Sequence, residues 1–333
     1  MEHTELTLDG LILICLCADL FELKAAKPLS KKQYQRLEEK LRHSLLKRPI
    51  GLLSCDSQEM KIQLALNDDE VQQIQARLAL LTQTISTIAY YQTKGIEVVT
   101  KYESIYPTSL VNNLKKEAPL ILFYSGDFSL LQEKAISIAG PVHQTEQMSR
   151  NTLCVVDKIY HENYHLMTSA HAGCEELGMF HFLNKGGKVI LFTSDHLLKK
   201  SIEMKRNIQN KQMLMISHRL PESDYDIIES VIRNSYMYAL CETNFIIHSE
   251  LNTGALYFSA IQNLKYRWSK ILAIVDDEFY GNAKLVEAGA IPVTMERVTS
   301  ETTIEQLTNV NKEELKGLVK PSQLSIYEFM EEA

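Results

Sequence analysis

No apolar run in this chain of 333 residues reaches the ~20 residues that a membrane-spanning helix needs. The longest, Leu11 to Cys17, has no basic segment before it, only Glu2 and Glu5, so neither an anchor nor a secretory signal is expected. The six cysteines contain no Cys-x-x-Cys pair and read as free thiols of a reducing, cytoplasmic protein. There is no internal repeat and no low-complexity segment. Gly-x-Ser-x-Gly, the P-loop and His-Glu-x-x-His are all missing, which removes the usual signatures of a serine hydrolase, a P-loop NTPase and a zinc protease. Positive charge is also short. The formal net charge is −7, so any nucleic-acid contact must come from a local patch. Two stretches qualify, residues 24–48 and 199–219. Both also read as a helix face turned to water, and for the first stretch that reading is favoured.

What is present falls into two patterns. Up to about residue 92, apolar residues recur at helical spacing over Leu11–Phe21, Lys31–Leu46 and Asp69–Tyr91. Asn67 and three acidic residues after it supply a cap and a favourable first turn for the third of these. From Glu97 onward, short apolar runs alternate with helical segments. The runs are Val98-Val99, Leu120–Phe123, Ala135–Ala139, Leu166–Thr168, Val189–Phe192, Met213–Ile216, Phe245–Ile247, Ile271–Val275 and Ile291–Val293. Continuous apolar runs mark strands buried on both faces, and intervening helices imply right-handed crossovers. The expected fold class is α/β: an extended Rossmann-like, mostly parallel, doubly wound sheet preceded by a helical N-terminal region. The expected division is 1–92, 93–295 and a tail, 296–333, with one weak helix at Ile304–Leu318 and a docked end at Leu324–Met330.

Ligands of such sheets lie outside the carboxyl ends of the strands. Gly140 follows the third run, where a glycine lets backbone approach a phosphate, although Pro141 removes a donor and Val142 offers no cation. Ser169 and Gly173 follow the fourth run, with Ala170 between them. Arg233 can fork onto phosphate oxygens, and Asn234 can bond a base edge or order a loop. Thr253 and Gly254 open a helix whose free N–H groups suit an anion, or form a plain N-cap. Asn282 and Lys284 sit at the start of a later helix. His171, Cys174 and Glu175, or His161 and His165, fall short of the three convergent ligands plus support that zinc requires, so no metal site is expected. Tyr236, Met237 and Tyr238 either stack single-stranded bases or belong to the core, and their helical spacing favours the core.

Several of these pieces, in this order, resemble the DNA-processing protein A (DprA, or Smf) family. Ile232-Arg233-Asn234 running to Ala239-Leu240-Cys241 resembles that family's Arg-Asn helix. Thr253-Gly254-Ala255-Leu256 resembles its Ser-Gly-Ser turn, and Gly281 to Ala290 its Gly-x-Asn-x-Leu-Ile-x-x-Gly-Ala ending. Tyr102 to Leu110 and Pro119 to Gly126 resemble its Tyr-Pro-x-x-Leu…Pro…Gly opening, and Ser169 to Glu175 its Ser-Gly-x-Ala-x-Gly-Ile-Asp loop. The family's asparagine position holds Ala283 here, one place after Asn282.

The resemblance implies a non-enzymatic, single-stranded DNA-binding protein of DNA uptake or recombination, without cofactor, acting as a homodimer and helping to load a RecA-type recombinase. It places phosphates at Gly140, Ser169, Gly173, Arg233, Asn234, Thr253, Gly254, Asn282 and Lys284. The tail is too short for the winged-helix domain that some relatives carry. Two alternatives stay open. One is a nucleotide-binding sensor or nucleotide N-glycosidase-like enzyme, for which Arg233 and Thr253-Gly254 are present but a Gly-Gly-x-Gly-Thr loop is not. The other is a partner-binding protein with a degenerate pocket.

Overall fold

The computed structural model describes residues 5–309 apart from 22, 24–25 and 276–279. Its N-terminal region is helical. Helix α1 (Leu8–Cys17) is apolar nearly all round and buried, and it packs against α4 (Asp68–Leu78) and α5 (Leu81–Thr93). Helices α2 (Lys31–His43) and α3 (Ser57–Leu64) complete the group, and α2, α3 and α4 each start with a reciprocal capping box. One continuous helix was expected over Asp69–Tyr91. The chain instead turns at Ala79–Leu80 without a proline or glycine, and both resulting helices lie on α1. Fully buried Arg77 anchors the turn: its guanidinium donates to the carbonyls of Cys15 (2.7 Å), Ala18 (2.6 Å) and Ala26 (3.0 Å).

All nine apolar runs form strands of one sheet: β1 (Glu97–Thr100), β2 (Ile121–Gly126), β3 (Ala135–Ala139), β4 (His165–Thr168), β5 (Val189–Thr193), β6 (Met213–Ser217), β7 (Thr243–Ile246), β8 (Lys270–Ile274) and β9 (Ile291–Val293). Their order is β1-β2-β6-β5-β4-β3-β7-β8-β9. From β6 to β9 every pairing is parallel, as in Ser137 opposite Met167 and Asn244. The first two strands depart from this. Helix α6 (Thr108–Leu114) lies between them in sequence, yet β1 and β2 pair antiparallel and extend the β6 edge.

Helices α7 (Glu146–His161), α8 (Cys174–Asn184), α9 (Leu197–Glu203), α10 (Lys205–Gln209), α11 (Ile227–Leu240), α12 (Gly254–Tyr266) and α13 (Tyr280–Glu287) make the crossovers; α14 (Met295–Thr299) and α15 (Ile304–Thr308) follow β9. Side chains alternate between two cores. Ile138, Leu166, Val189 and Met213 face a core continuous with the N-terminal helices; Met167, Ile190 and Leu214 face Leu110 and Tyr236. Tyr236 and Met237 are buried in the second of these cores and Tyr238 in a third, with Ile246, Tyr257 and Ile271, as the helical spacing favoured. No helix of the described residues is long and apolar enough to cross a membrane. The expected docked end at Leu324–Met330, the rest of the helix expected over Ile304–Leu318 and most of the tail lie outside the described residues.

This topology fixes where a ligand can sit. The chain moves outward from β3 through β4, β5 and β6, then returns across β3 to place β7 on its other side. The crevice of a doubly wound sheet lies at that reversal, beyond the carboxyl ends of β3 and β7.

Candidate functional site

The turns after β3, β4 and β7 meet at this edge. Ile247 N–H donates to Ala139 O (2.8 Å), and Cys174 N–H to Pro141 O (3.3 Å). Gly140 and Gly173 serve this packing. A Cβ on Gly140 would come within 2.7 Å of the Cys174 Cβ. Gly173 has φ +94°, and a Cβ there would lie 2.4 Å from both the Pro141 and the Val142 carbonyl oxygens. Those carbonyls crowd the start of α8, so this helix end is turned against the β3 loop and is a poor place for an anion.

Ser169 is buried, and its donors are already used. The Glu175 carboxylate accepts from Ser169 N–H (3.1 Å), from the Ser169 hydroxyl and from Thr168 Oγ1 (3.3 Å). Ala170 takes the left-handed conformation (φ 51°) where the related loop has glycine. An internal carboxylate thus holds the groups that the sequence offered to a phosphate.

Arg233 lies on α11 with 7% of its surface exposed, and its Nε donates to Asn234 Oδ1 (3.1 Å). Burial pushes its guanidinium below the ordinary arginine value, against the pull of Glu175, Asp195 and Tyr225. It remains a cation, since arginine is not deprotonated in proteins. Its electrostatic partners place it on the β4–β5 side of the carboxyl edge. Asn234 Nδ2 donates to Ser259 Oγ (3.2 Å), which ties α11 to α12.

Thr253 and Gly254 begin α12 at the end of the β7 turn. Asn252, Thr253 and Gly254 are all exposed, and the Thr253 side chain makes no cap bond. Helices α7 and α11 are different, being capped by Thr145 and Asp226. The α12 terminus therefore turns the positive end of its dipole, without a side-chain cap, to the crevice.

Asn282 does not reach the rim. It is fully buried: Nδ2 faces the carbonyls of Ile246 (3.2 Å), Ile247 (3.2 Å) and Ile274 (2.8 Å), and Oδ1 accepts from Ser249 Oγ (2.9 Å). It fastens the carboxyl ends of β7 and β8 together. Lys284 is half-buried and paired with Glu287 (2.5 Å). Of the nine expected contacts, Thr253 and Gly254 are exposed at the start of α12, Arg233 and Asn234 lie on α11, Gly140, Ser169, Gly173 and Asn282 belong to the framework of the edge, and Lys284 is paired with Glu287.

The model of the DNA recombination-mediator protein A family matches residues 97–303. The chain belongs to this family. No curated protein matches the sequence. Among solved structures, DNA processing protein A (DprA) from Streptococcus pneumoniae aligns with a TM-score of 0.55 at 17% identity, covering 82% of this chain and 98% of that one. DNA processing protein A from Helicobacter pylori, described for its unique single-stranded DNA binding mode, gives 0.49 at 16% identity, over 59% and 90%. The S. pneumoniae structure shares the fold.

Against the family pattern, three features of this member were not foreseen. The first is Glu175 filling the Ser169 loop. The second is a His218–Glu229 pair, one turn of α11 before Arg233, with Nε2 of His218 2.8 Å from the carboxylate. Burial pushes His218 below its ordinary value against the pull of Glu229, and the hydrogen bond from His218 holds Glu229 low. Both directions fit a neutral imidazole donating from Nε2 to an ionised Glu229. The third concerns the second basic stretch, two of whose cations are structural: Lys200 binds Asp195 (2.9 Å) and Thr193 Oγ1 (2.8 Å), and Arg219 donates to Asp224 O (2.6 Å).

A cavity of about 950 Å³ opens on the opposite edge, by Ala135, Thr243 and Lys270 at the amino ends of β3, β7 and β8. None of the nine expected residues lines it. Volume favours that edge; the Arg233 cation and the exposed start of α12 favour the carboxyl one. Among the described residues, no group of three or more His, Cys, Asp or Glu is placed to hold a metal ion.

Proposed function

We propose that this chain binds single-stranded DNA at the carboxyl edge of its sheet without catalysing a reaction on it. One observation carries the proposal: a buried arginine, Arg233, on the same sheet edge as the start of α12, where Asn252, Thr253 and Gly254 are exposed and the Thr253 side chain makes no cap bond. A buried cation holds desolvation energy that a phosphate can recover, and a helix N-terminus adds donors and partial positive charge. Membership of a recombination-mediator family supports DNA as the source of that phosphate.

The test is fluorescence anisotropy with labelled oligo-dT across salt concentrations. The affinity is expected to fall linearly on log–log axes, and Arg233→Ala is expected to weaken binding and flatten the slope by about 0.7, the value of one lost phosphate contact on a single strand. An affinity indifferent to salt, or to Arg233→Ala, defeats the proposal.

We infer further that the protein works in the cytoplasm, self-associates through its α/β part, and hands DNA to a RecA-type recombinase. The same proposal divides the chain into a helical unit (1–92), a DNA-binding unit (93–295) and a tail (296–333). The occupied Ser169 loop favours a second reading, a partner-binding protein that has lost part of its pocket. In that case neither oligonucleotide nor nucleotide raises the melting temperature.

A further inference from the structure

The carboxyl edge also carries exposed rings that phosphate capture does not use. His171, in the turn after β4, and Tyr225, in the loop before α11, lie with ring planes 15° from parallel and centroids 6.3 Å apart. Both are exposed, Tyr225 at 53% of its surface. At most one face of each ring is turned to the other, so the pair keeps π surface in water. Ile227 and Ile228 continue the patch at 58% and 68% exposure, in the first turn of α11.

The loop that carries Tyr225 is fastened at several points. Asp226 caps α11 by accepting from Ile228 N–H (2.7 Å) and Glu229 N–H (3.1 Å). Arg219 donates to Asp224 O (2.6 Å), and His196 N–H to Ser223 O (2.8 Å). On the other side, the His171 carbonyl accepts from Glu176 N–H (3.1 Å) at the start of α8. The two rings are therefore presented by backbone held in place, which lowers the entropy lost when a third ring joins them. Tyr225 lies within electrostatic reach of the Arg233 guanidinium, so rings and cation share one neighbourhood.

Resting on the single-stranded DNA reading above, we propose that His171 and Tyr225 form a stacking platform for unpaired nucleobases, next to the phosphate held by Arg233. Every base has a π face, so such a platform is indifferent to sequence, but it needs bases that are free of a duplex. It gives the edge a reason to prefer a single strand over a double one, which phosphate contacts alone do not supply. The flanking isoleucines suit the apolar faces of neighbouring bases.

The experiment compares oligo-dT with an abasic oligonucleotide of the same length, against wild-type protein, Tyr225→Ala, Tyr225→Phe and His171→Ala. Wild-type protein is expected to prefer oligo-dT. Tyr225→Ala weakens oligo-dT binding roughly 5- to 100-fold, the range of one lost base stack, and abolishes the preference over the abasic strand. Tyr225→Phe retains both, His171→Ala loses part, and the salt slope stays that of wild type in all three. If wild-type protein binds the two strands equally, or Tyr225→Ala binds as wild type does, the platform is refuted while the phosphate site stands. If Tyr225→Ala instead dissociates an oligomer and leaves DNA affinity unchanged, the patch is a protein interface and the platform is again refuted. If wild-type protein binds neither strand, the DNA reading itself falls and takes the platform with it.

Discussion

Replacing Asn282 separates a framework residue from a DNA contact. Its side chain supplies two N–H groups to three carbonyls on β7 and β8 and accepts one bond from Ser249, all without contact with water. Asn282→Ala removes those bonds and leaves the partners buried with nothing to replace them. At about 1 kcal/mol net for each of three bonds, the loss is about 3 kcal/mol. In urea unfolding, with a slope of about 3 kcal/mol/M, the midpoint falls by about 1 M. Asn282→Asp has nearly the same shape but turns a carboxylate toward three carbonyls, so it should be less stable than the alanine variant. Oligo-dT affinity, measured where both proteins are folded, should change little for Asn282→Ala. A midpoint within ~0.2 M of wild type together with a collapse of DNA binding would refute the framework role, since three buried bonds cannot vanish without thermodynamic trace.

Other expectations follow from the same geometry. Gly173→Ala meets both a positive φ and two carbonyl oxygens, whereas Gly254→Ala meets a positive φ (+75°) in open space, so the first should cost about 2–3 kcal/mol and the second about 1, by denaturant midpoint; equal losses would show that the loop yields to the added methyl. Arg77→Met leaves three buried carbonyls unmatched and should cost about 3–5 kcal/mol while leaving the DNA salt slope unaltered; a stability within 1 kcal/mol of wild type contradicts the anchoring role. His165 and His218 are both held below the ordinary value of 6.5 by burial. Below that pH the unfolded chain takes up protons that the native one refuses, so their contribution is complete above pH ~6.5 and lost as pH falls through the folded values, at up to ~1.4 kcal/mol per pH unit for each proton. His218→Asn should flatten the decline of the urea midpoint between neutral and mildly acid pH, and an unaltered decline argues against a neutral, buried His218.

The strands were legible because strands covered on both faces are written as unbroken apolar runs, such as Val189–Phe192 and Met213–Ile216. The direction of β1 and β2 was not, since α6 between them looks like any crossover helix. Nor was the turn between α4 and α5, where long-range bonds from Arg77 act in place of a local breaker. At the site, Arg233 could be read as a cation on the ligand edge. Asn282 was ambiguous by nature: an asparagine after a strand can face a ligand or lash carbonyls together, and only the position of β7 beside β8 decides. Glu175 was noticed as a replacement for aspartate, but its capture of the Ser169 donors depends on the backbone folding back over six residues. Tyr225 sits in a polar loop with no periodicity, so nothing in the local sequence marks it.

Phosphate capture by Arg233 at the sheet's carboxyl edge is tested most directly by the salt dependence of oligo-dT binding to wild-type protein and to Arg233→Ala, side by side. The account predicts two straight log–log lines, with the variant both weaker and shallower by about 0.7. Superimposable lines would contradict it.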